Sequence, residues 1–327
     1  MKTRLSSAAV RWDLVAAFAA VYLIWGSTYL GIRFAIDTIP PFLMAGSRFL
    51  MAGAILYIWM RRTGAARPAL HFWKTMTIVG ALLLVGGNGG VTWAEQYVPS
   101  SIAALVIGAT PLWITLLDWL VFRGPRPTWR IVAGLATGLA GIALLVGPAE
   151  IASGEGIKPA GVAALMLASI SWALGSLYSR TARLPDVPAL ATGMEMLAGG
   201  ALLVLLGTLT GEWSELDLGA ISAKSAVALI YLTLFGSLVG FSAYIWLLRN
   251  TSAANAATYA YVNPVVALFL GWALADESIT PRTLVAAAII IGSVVLITSH
   301  RAQAEAAAPD PESPPCDDSL AEPVTGR

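Results

Sequence analysis

Long apolar runs alternate with short polar or proline-bearing breaks from near the start of the chain to about residue 299. About 20 helical residues cross a bilayer core of roughly 30 Å. Ten runs reach that length: about 14–33, 42–60, 75–95, 101–122, 129–147, 159–179, 188–210, 222–248, 254–275 and 283–299. The breaks carry turn signals such as Ile39-Pro40-Pro41 and Leu184-Pro185-Asp186-Val187-Pro188, and no loop is long enough for a soluble domain. The pattern predicts an all-α integral membrane protein with ten transmembrane helices.

The chain also repeats itself. Shifted by 153 residues, Trp93 meets Trp246, Ala103-Ala104 meets Ala256-Ala257, Pro111 meets Pro264 and Leu117 meets Leu270. A shift of 147 lays Gly46 to Leu50 on Gly193 to Leu197, and Trp25-Gly26-Ser27 has a looser partner in Trp172 to Ser176. Each copy then holds five helices, an odd number, so the second enters the membrane the other way up. The expected domains are a cytoplasmic N-terminus (1–13), a first repeat (14–147), an inverted second repeat (159–299) and a disordered cytoplasmic tail (302–327). Five-plus-five inverted topology is a common build of secondary transporters, with the site near the midplane.

Composition agrees. Of the 327 residues 57% are hydrophobic and 12% charged, about half the charge of an ordinary soluble domain. Lys2, Arg4, Arg11, Arg61, Arg62, Arg123, Arg126, Arg180 and Arg301 fall on one side of a ten-helix layout, against Arg33, Lys158, Lys224 and Arg282 on the other. That bias places both termini in the cytoplasm. The basic N-terminus ahead of an apolar run resembles a signal peptide, but the span-length run 14–32 and its repeated Trp25 motif favour an uncleaved first helix. From Ala302 onward, Pro, Ala, Asp and Glu dominate, a composition that cannot bury enough to fold. A net charge of +1 gives no nucleic-acid surface. One cysteine, Cys316, permits no intrachain disulfide and no metal cluster.

Catalytic motifs are missing. No lysine follows a glycine, so there is no phosphate-binding G-x-x-x-x-G-K-[ST] loop; no H-E-x-x-H occurs; Asp118 is the one aspartate inside a span. The reading is a non-enzyme without cofactor or metal.

Polar residues inside the spans are therefore the candidates. Arg48, Glu95 and Glu195 are placed where a charge costs about 2.5–3.5 kcal/mol at mid-helix, and are read as gate or coupling charges. Glu95 is expected to pair with Arg48, and Glu195 with Arg249 or Arg180. Asn255, Tyr259 and Asn263 recur at i, i+4, i+8 on one helix face. With Trp25, Ser27, Asn88, Trp172 and Ser176 they are candidates to line a substrate cavity. Tryptophan and tyrosine also favour membrane interfaces, and serine and glycine favour helix contacts, so packing is the competing role. Pro111 and Pro264 are expected helix kinks; Pro264 frees the carbonyl one turn earlier, which must find a partner or line a wet cavity. Gly134, Gly138 and Gly141 have the spacing of a close helix contact, within the chain or in self-association.

At this point a resemblance is visible. IWGSTYLGIR (24–33), PPFLMAGSRFLMAG (40–53), GNGGVTWAEQYVPSSIAAL (87–105), ISWALGSLYSR (170–180), TSAANAATYAYVNPVVALFLG (251–271) and Glu277 together resemble the EamA-type permeases of the drug/metabolite transporter superfamily, and among them the YedA-like exporters. The resemblance covers about 14–299. It implies ten helices in the inverted repeat, export of small metabolites or toxic compounds, and a central cavity built mainly from helices one, three, four, six, eight and nine. It also matches Pro264 and Glu277 to the family's helix-nine proline and following acidic residue. The first copy departs there: Arg123-Gly124 stands where Gly-Glu is common.

The functional expectation is a secondary active transporter exporting small metabolites, amino acids or amphipathic drugs across the bacterial inner membrane, coupled to a proton or other gradient. Its partners would be a small-molecule substrate and the lipid bilayer, with no nucleic acid, as monomer or homodimer. Alternatives are an importer or exchanger of sugar- or nucleotide-linked solutes, and a receptor or scaffold without transport.

Overall fold

Each of the ten apolar runs contains a helix in the computed structural model, which describes residues 12–124, 126–146, 158–251 and 258–306, and among these no strand occurs. The helices are α1 (Trp12–Ala35), α2 (Pro41–Arg62), α3 (Leu70–Ala94), α4 (Ser100–Leu120), α5 (Trp129–Val146), α6 (Pro159–Thr181), α7 (Pro188–Leu209), α8 (Ala223–Tyr231 continuing through Leu232–Val239 and Gly240–Asn250), α9 (Tyr259–Ala275) and α10 (Pro281–Ala306). Pro41, Pro159 and Pro188 open their helices, where a missing N–H is harmless and φ is already helical. Seven helices are long and apolar enough to cross a membrane; α5, α9 and α10 contribute the shorter apolar stretches Trp129–Leu145, Tyr259–Ala275 and Pro281–Leu296. α10 continues to Ala306, beyond the expected end at 299.

Large apolar side chains face both ways. Phe49, Leu84, Leu105, Leu165 and Leu203 are buried between helices, while Leu23, Ile58, Leu167, Val227 and Phe269 are exposed. An outer surface of that kind is matched to lipid rather than water.

The α2–α7 contact is reciprocal. A Cβ on Gly53 would stand 3.0 Å from the Gly193 carbonyl, and one on Gly193 3.4 Å from that of Gly53. Gly46 and Gly200 approach each other's carbonyls in the same way, 3.1 Å in each direction. Since Gly46 corresponds to Gly193 and Gly53 to Gly200, exchanging the two copies maps this contact onto itself, as a two-fold relation requires. Gly138 and Gly141 lie against Ser293, Ile289 and Ile290 of α10; close packing within the chain occupies them.

Irregularities are paired as well. α3 widens to a π-helix over Ala81–Gly89, and α8 does so over Leu232–Val239. Such wide turns frequently mark functional sites. α4 breaks at Ala109, and Pro111 lies in the first turn of its second half. Its counterpart Pro264 lies inside α9.

Carboxylates from the second half cap helices of the first. Glu212 accepts from the amides of Phe42 (3.0 Å) and Leu43 (2.8 Å) at the start of α2. Glu277 accepts from the Ser100 amide (2.8 Å), the Ser100 hydroxyl (2.7 Å) and the Ser101 amide (3.0 Å) at the start of α4. Four of a helix's first amides have no partner within the helix, and these anions meet them.

The turns after α4 and α9 share one backbone. Arg123 (φ 59) and Asp276 (φ 53) are left-handed. Each is followed by an amide folded back on a carbonyl six residues earlier, Gly124 onto Asp118 (2.8 Å) and Glu277 onto Gly271 (3.1 Å). The side chains are exchanged between the two turns. After α9 the Glu277 carboxylate leans on Gly271, and after α4 the Asp118 carboxylate leans on Gly124. The first copy therefore has a glycine, Gly124, at the position of Glu277.

Candidate functional site

Where helices from both halves meet, they leave a cavity of about 140 Å³. Its wall comes from α1 (Trp25, Thr28, Tyr29, Ile32), α2 (Arg48), α3 (Gly87, Asn88, Val91), α4 (Ala104 and Ile107 to Ile114 in part), α6 (Ala168, Trp172), α8 (Phe241) and α9 (Tyr259, Ala260, Asn263, Pro264). Ten of the 21 lining positions correspond between the copies, in five pairs. Trp25 and Trp172 are 147 apart; Asn88 and Phe241, Ile107 and Ala260, Thr110 and Asn263, and Pro111 and Pro264 are each 153 apart. The broken and the kinked helix touch there. A Cβ on Gly108 would stand 2.7 Å from Pro264 Cγ and 3.5 Å from the Ala260 carbonyl oxygen. Ala260 is the residue whose carbonyl Pro264 deprives of its helical donor, and it lines the cavity.

Aromatic rings build one side. The Trp25 ring lies 5.0 Å from Tyr259, 5.1 Å from Tyr244 and 5.3 Å from Phe241 between centroids, edge-on to Tyr259 and Phe241. Such pairs add about 0.5–1.5 kcal/mol beyond area burial. Trp25 Nε1 donates to the Gly236 carbonyl at 3.2 Å, which ties α1 to the wide turn of α8. Asn263, with its amide oriented to meet acceptors, donates to the carbonyls of Tyr259 and Tyr22 at 3.3 Å each. Asn88 Nδ2 donates to the Leu83 carbonyl at 3.4 Å within the wide turn of α3.

Both halves of the chain match one family model, that of the EamA-like transporter family, over residues 11–147 and 159–299. The chain belongs to the EamA-like transporter family. It is 40% identical over 288 residues to a protein of Escherichia coli strain K12 named uncharacterized inner membrane transporter YedA, covering 87% of this chain and 90% of that one. The uncharacterized transporter YoaV of Bacillus subtilis strain 168 is 24% identical, with 85% and 94% covered. Protein PecM of Dickeya dadantii strain 3937 is 25% identical, with 84% and 88% covered. A crystal structure at 23% sequence identity superposes with a TM-score of 0.61 over 90% of this chain and 99% of that chain, a likeness of fold.

In this EamA-family chain the candidate residues separate into groups. Trp25, Asn88, Trp172, Tyr259 and Asn263 line the cavity together with Arg48, Pro111 and Pro264. Ser27 lies outside the lining, with its hydroxyl on the Ile24 carbonyl (2.8 Å) and the Tyr231 hydroxyl (2.6 Å). Ser176 donates to the carbonyl of Trp172 at 2.8 Å, also outside the lining. Asn255 lies outside the described residues. Thr28, Ala260 and Phe241 also line the cavity, as does Tyr29, which shares a helix face with Trp25. The 153-residue offset from Asn88 ends on Phe241 and is the sequence signal for it.

The expected pairing of Arg48 with Glu95 is replaced by another contact. Arg48 Nε donates to Ser237 Oγ of α8 at 2.9 Å, and its Cζ lies 4.8 Å from the Phe49 ring centroid. Glu95 ends α3 beside Arg33, whose Nη1 donates to the Glu95 backbone carbonyl at 2.9 Å. Arg48 points into the cavity, whereas Glu95 is buried past a helix end, so sharing a side of the membrane does not bring them together. Both Glu95 carboxylate oxygens, and Glu195 Oε1, are buried without a hydrogen-bond partner among the described residues. Arg180 is exposed and forms no ion pair with Glu195 among those residues; the Arg249 side chain lies outside them.

Proposed function

We propose that this EamA-family member is a secondary active transporter that exports small metabolites, amino acids or amphipathic drugs across the inner membrane by alternating access. One observation carries the reading: a cavity between the two halves, lined in part by five pairs of repeat-related residues. Rocking of one copy against the other around such a site would expose it to each side in turn. In this reading all ten helices span, and the second copy is inverted. The lysine and arginine bias puts both termini in the cytoplasm. The name of the Escherichia coli relative supports the inner membrane as location.

Trp25, Trp172 and Tyr259 contact apolar parts of the substrate, and Asn88 and Asn263 bind polar parts. Ser27, Ser176 and Asn255 complete the path as the helices move. Pro111 and Pro264 are the bending points, in contact through Gly108. Glu195 carries coupling to a proton or other gradient, with Arg48 and Glu95 as the other charges on the path. The unpartnered, buried oxygen of Glu195 supports that role. Transport in proteoliposomes under an imposed pH gradient tests it. Glu195→Gln should keep downhill exchange and lose gradient-driven flux; full gradient-driven flux in that variant would end the coupling role.

A further inference from the structure

Arg48 is one of the lining residues without a repeat counterpart in the cavity wall. Its counterpart 147 residues on is Glu195, which is not part of the lining. Among the described residues Arg48 alone gives the lining a formal charge, and no carboxylate lines it there. The side chain is 4% exposed. Nε is bound to the neutral Ser237 hydroxyl at 2.9 Å. Nη2 lies against Gly236, where an added Cβ would come within 3.0 Å of it. Among the described residues no acceptor meets the two terminal nitrogens and no acidic side chain forms an ion pair with them. A charge buried this deeply calls for an opposite charge or a full set of acceptors, and neither is supplied by the wall.

We propose that Arg48 is the anion-recognition residue of this cavity, and that the transported solutes carry one carboxylate on an apolar or aromatic body. The proposal rests on the transport reading above and names its substrate class. A guanidinium offers a carboxylate two parallel N–H donors, and Ser237 holds its far edge without neutralising it. Charge balance narrows the class. One guanidinium neutralises one carboxylate. A phosphate monoester carries about −1.5 to −2 at neutral pH, and a nucleotide-linked solute carries at least as much, leaving excess negative charge against Trp25, Trp172 and Phe241. An organic cation would meet a like charge in a low dielectric, with no carboxylate in the wall to offset it.

The test is calorimetric titration of the purified full-length protein in detergent with four ligands that share a phenyl body: 3-phenylpropionate, 3-phenylpropylamine, 3-phenyl-1-propanol and phenyl phosphate. 3-Phenylpropionate should bind at least about tenfold more tightly than each of the others. Arg48→Gln should shrink that preference to about threefold or less, whereas Arg48→Lys should keep it at lower affinity. The ranking in the wild type needs no variant to fold. Amine or alcohol binding as tightly as the carboxylate overturns the proposal. If Tyr259→Ala then weakens all four alike, the cavity remains the binding site and only its charge selectivity has been refuted. If Tyr259→Ala changes none of them, the ligands bind elsewhere, and the anion site and the cavity reading fail together.

Discussion

Replacing Glu277 by alanine removes an acceptor that three donors share at the start of α4. Oε1 takes the Ser100 amide and hydroxyl, and Oε2 takes the Ser101 amide. Ser100 is fully buried and Ser101 is 3% exposed, so water has little access to take over. A buried donor left unmet costs about 1–3 kcal/mol, which gives about 2–6 kcal/mol for the two amides. The Ser100 hydroxyl can rotate toward another acceptor and adds little. Removal of a helix cap costs about 0.5–2 kcal/mol in soluble hosts, which sets the floor. The expected loss is about 3 kcal/mol for Glu277→Ala and about 1 kcal/mol for Glu277→Gln, which keeps one acceptor oxygen. Unfolding in mixed micelles with rising dodecyl sulfate, followed by circular dichroism, measures it. Glu215→Ala, at an exposed site, is the control and should stay within about 0.5 kcal/mol of wild type. If Glu277→Ala unfolds together with that control, the capping argument is wrong.

Two further predictions concern stability. Gly53→Ala would press a Cβ to 2.8 Å from the Leu197 amide and 3.0 Å from the Gly193 carbonyl, backbone atoms that cannot rotate away; a loss of about 1–3 kcal/mol is expected in the same assay. Gly292→Ala meets nothing within 4 Å and should instead gain up to about 1 kcal/mol from helix propensity; equal behaviour of the two would refute the steric account. Glu212 lies outside the spans, and burial raises its carboxyl above the ordinary value, against the lowering effect of the Phe42 and Leu43 amides. The folded protein therefore holds this proton more tightly than the unfolded chain. The resulting stability is complete below the unfolded value and is lost as pH rises through the folded one. From about pH 4 toward neutrality, wild type should lose more stability than Glu212→Gln; parallel curves would count against it.

Hydropathy and the two offsets made the helices, the duplication and much of the cavity wall legible. Trp25, Trp172, Asn88 and the proline pair could be picked out because each is out of place in a lipid-facing helix and has a partner at a fixed distance in sequence. The wide turns at Ala81–Gly89 and Leu232–Val239 could not. Eight or nine residues are too few for a hydropathy period to separate a π-helix from an α-helix, and both segments are mostly apolar. Ser27 and Ser176 show why small hydroxyls mislead: each can satisfy itself on a carbonyl of its own helix. Partner choice was the least legible. Depth along a helix can be counted from sequence, but the azimuth that sends Arg48 to Ser237 and leaves Glu95 beside Arg33 depends on how the helices pack.

The turns after α4 and α9 bear on how a duplicated gene can drift. In one, the acid stands on the loop and the glycine on the helix; in the other they have changed places. A single change from either arrangement gives two acids pressed together, or none. An acid placed at Gly124 would meet the Asp118 carboxylate, and a side chain placed at Gly271 would meet that of Glu277. Passage between the two arrangements takes two compensating changes, and the halves now stand on opposite sides of that step. A chimera that carries the α9 turn into the α4 position should therefore fold only when both positions travel together.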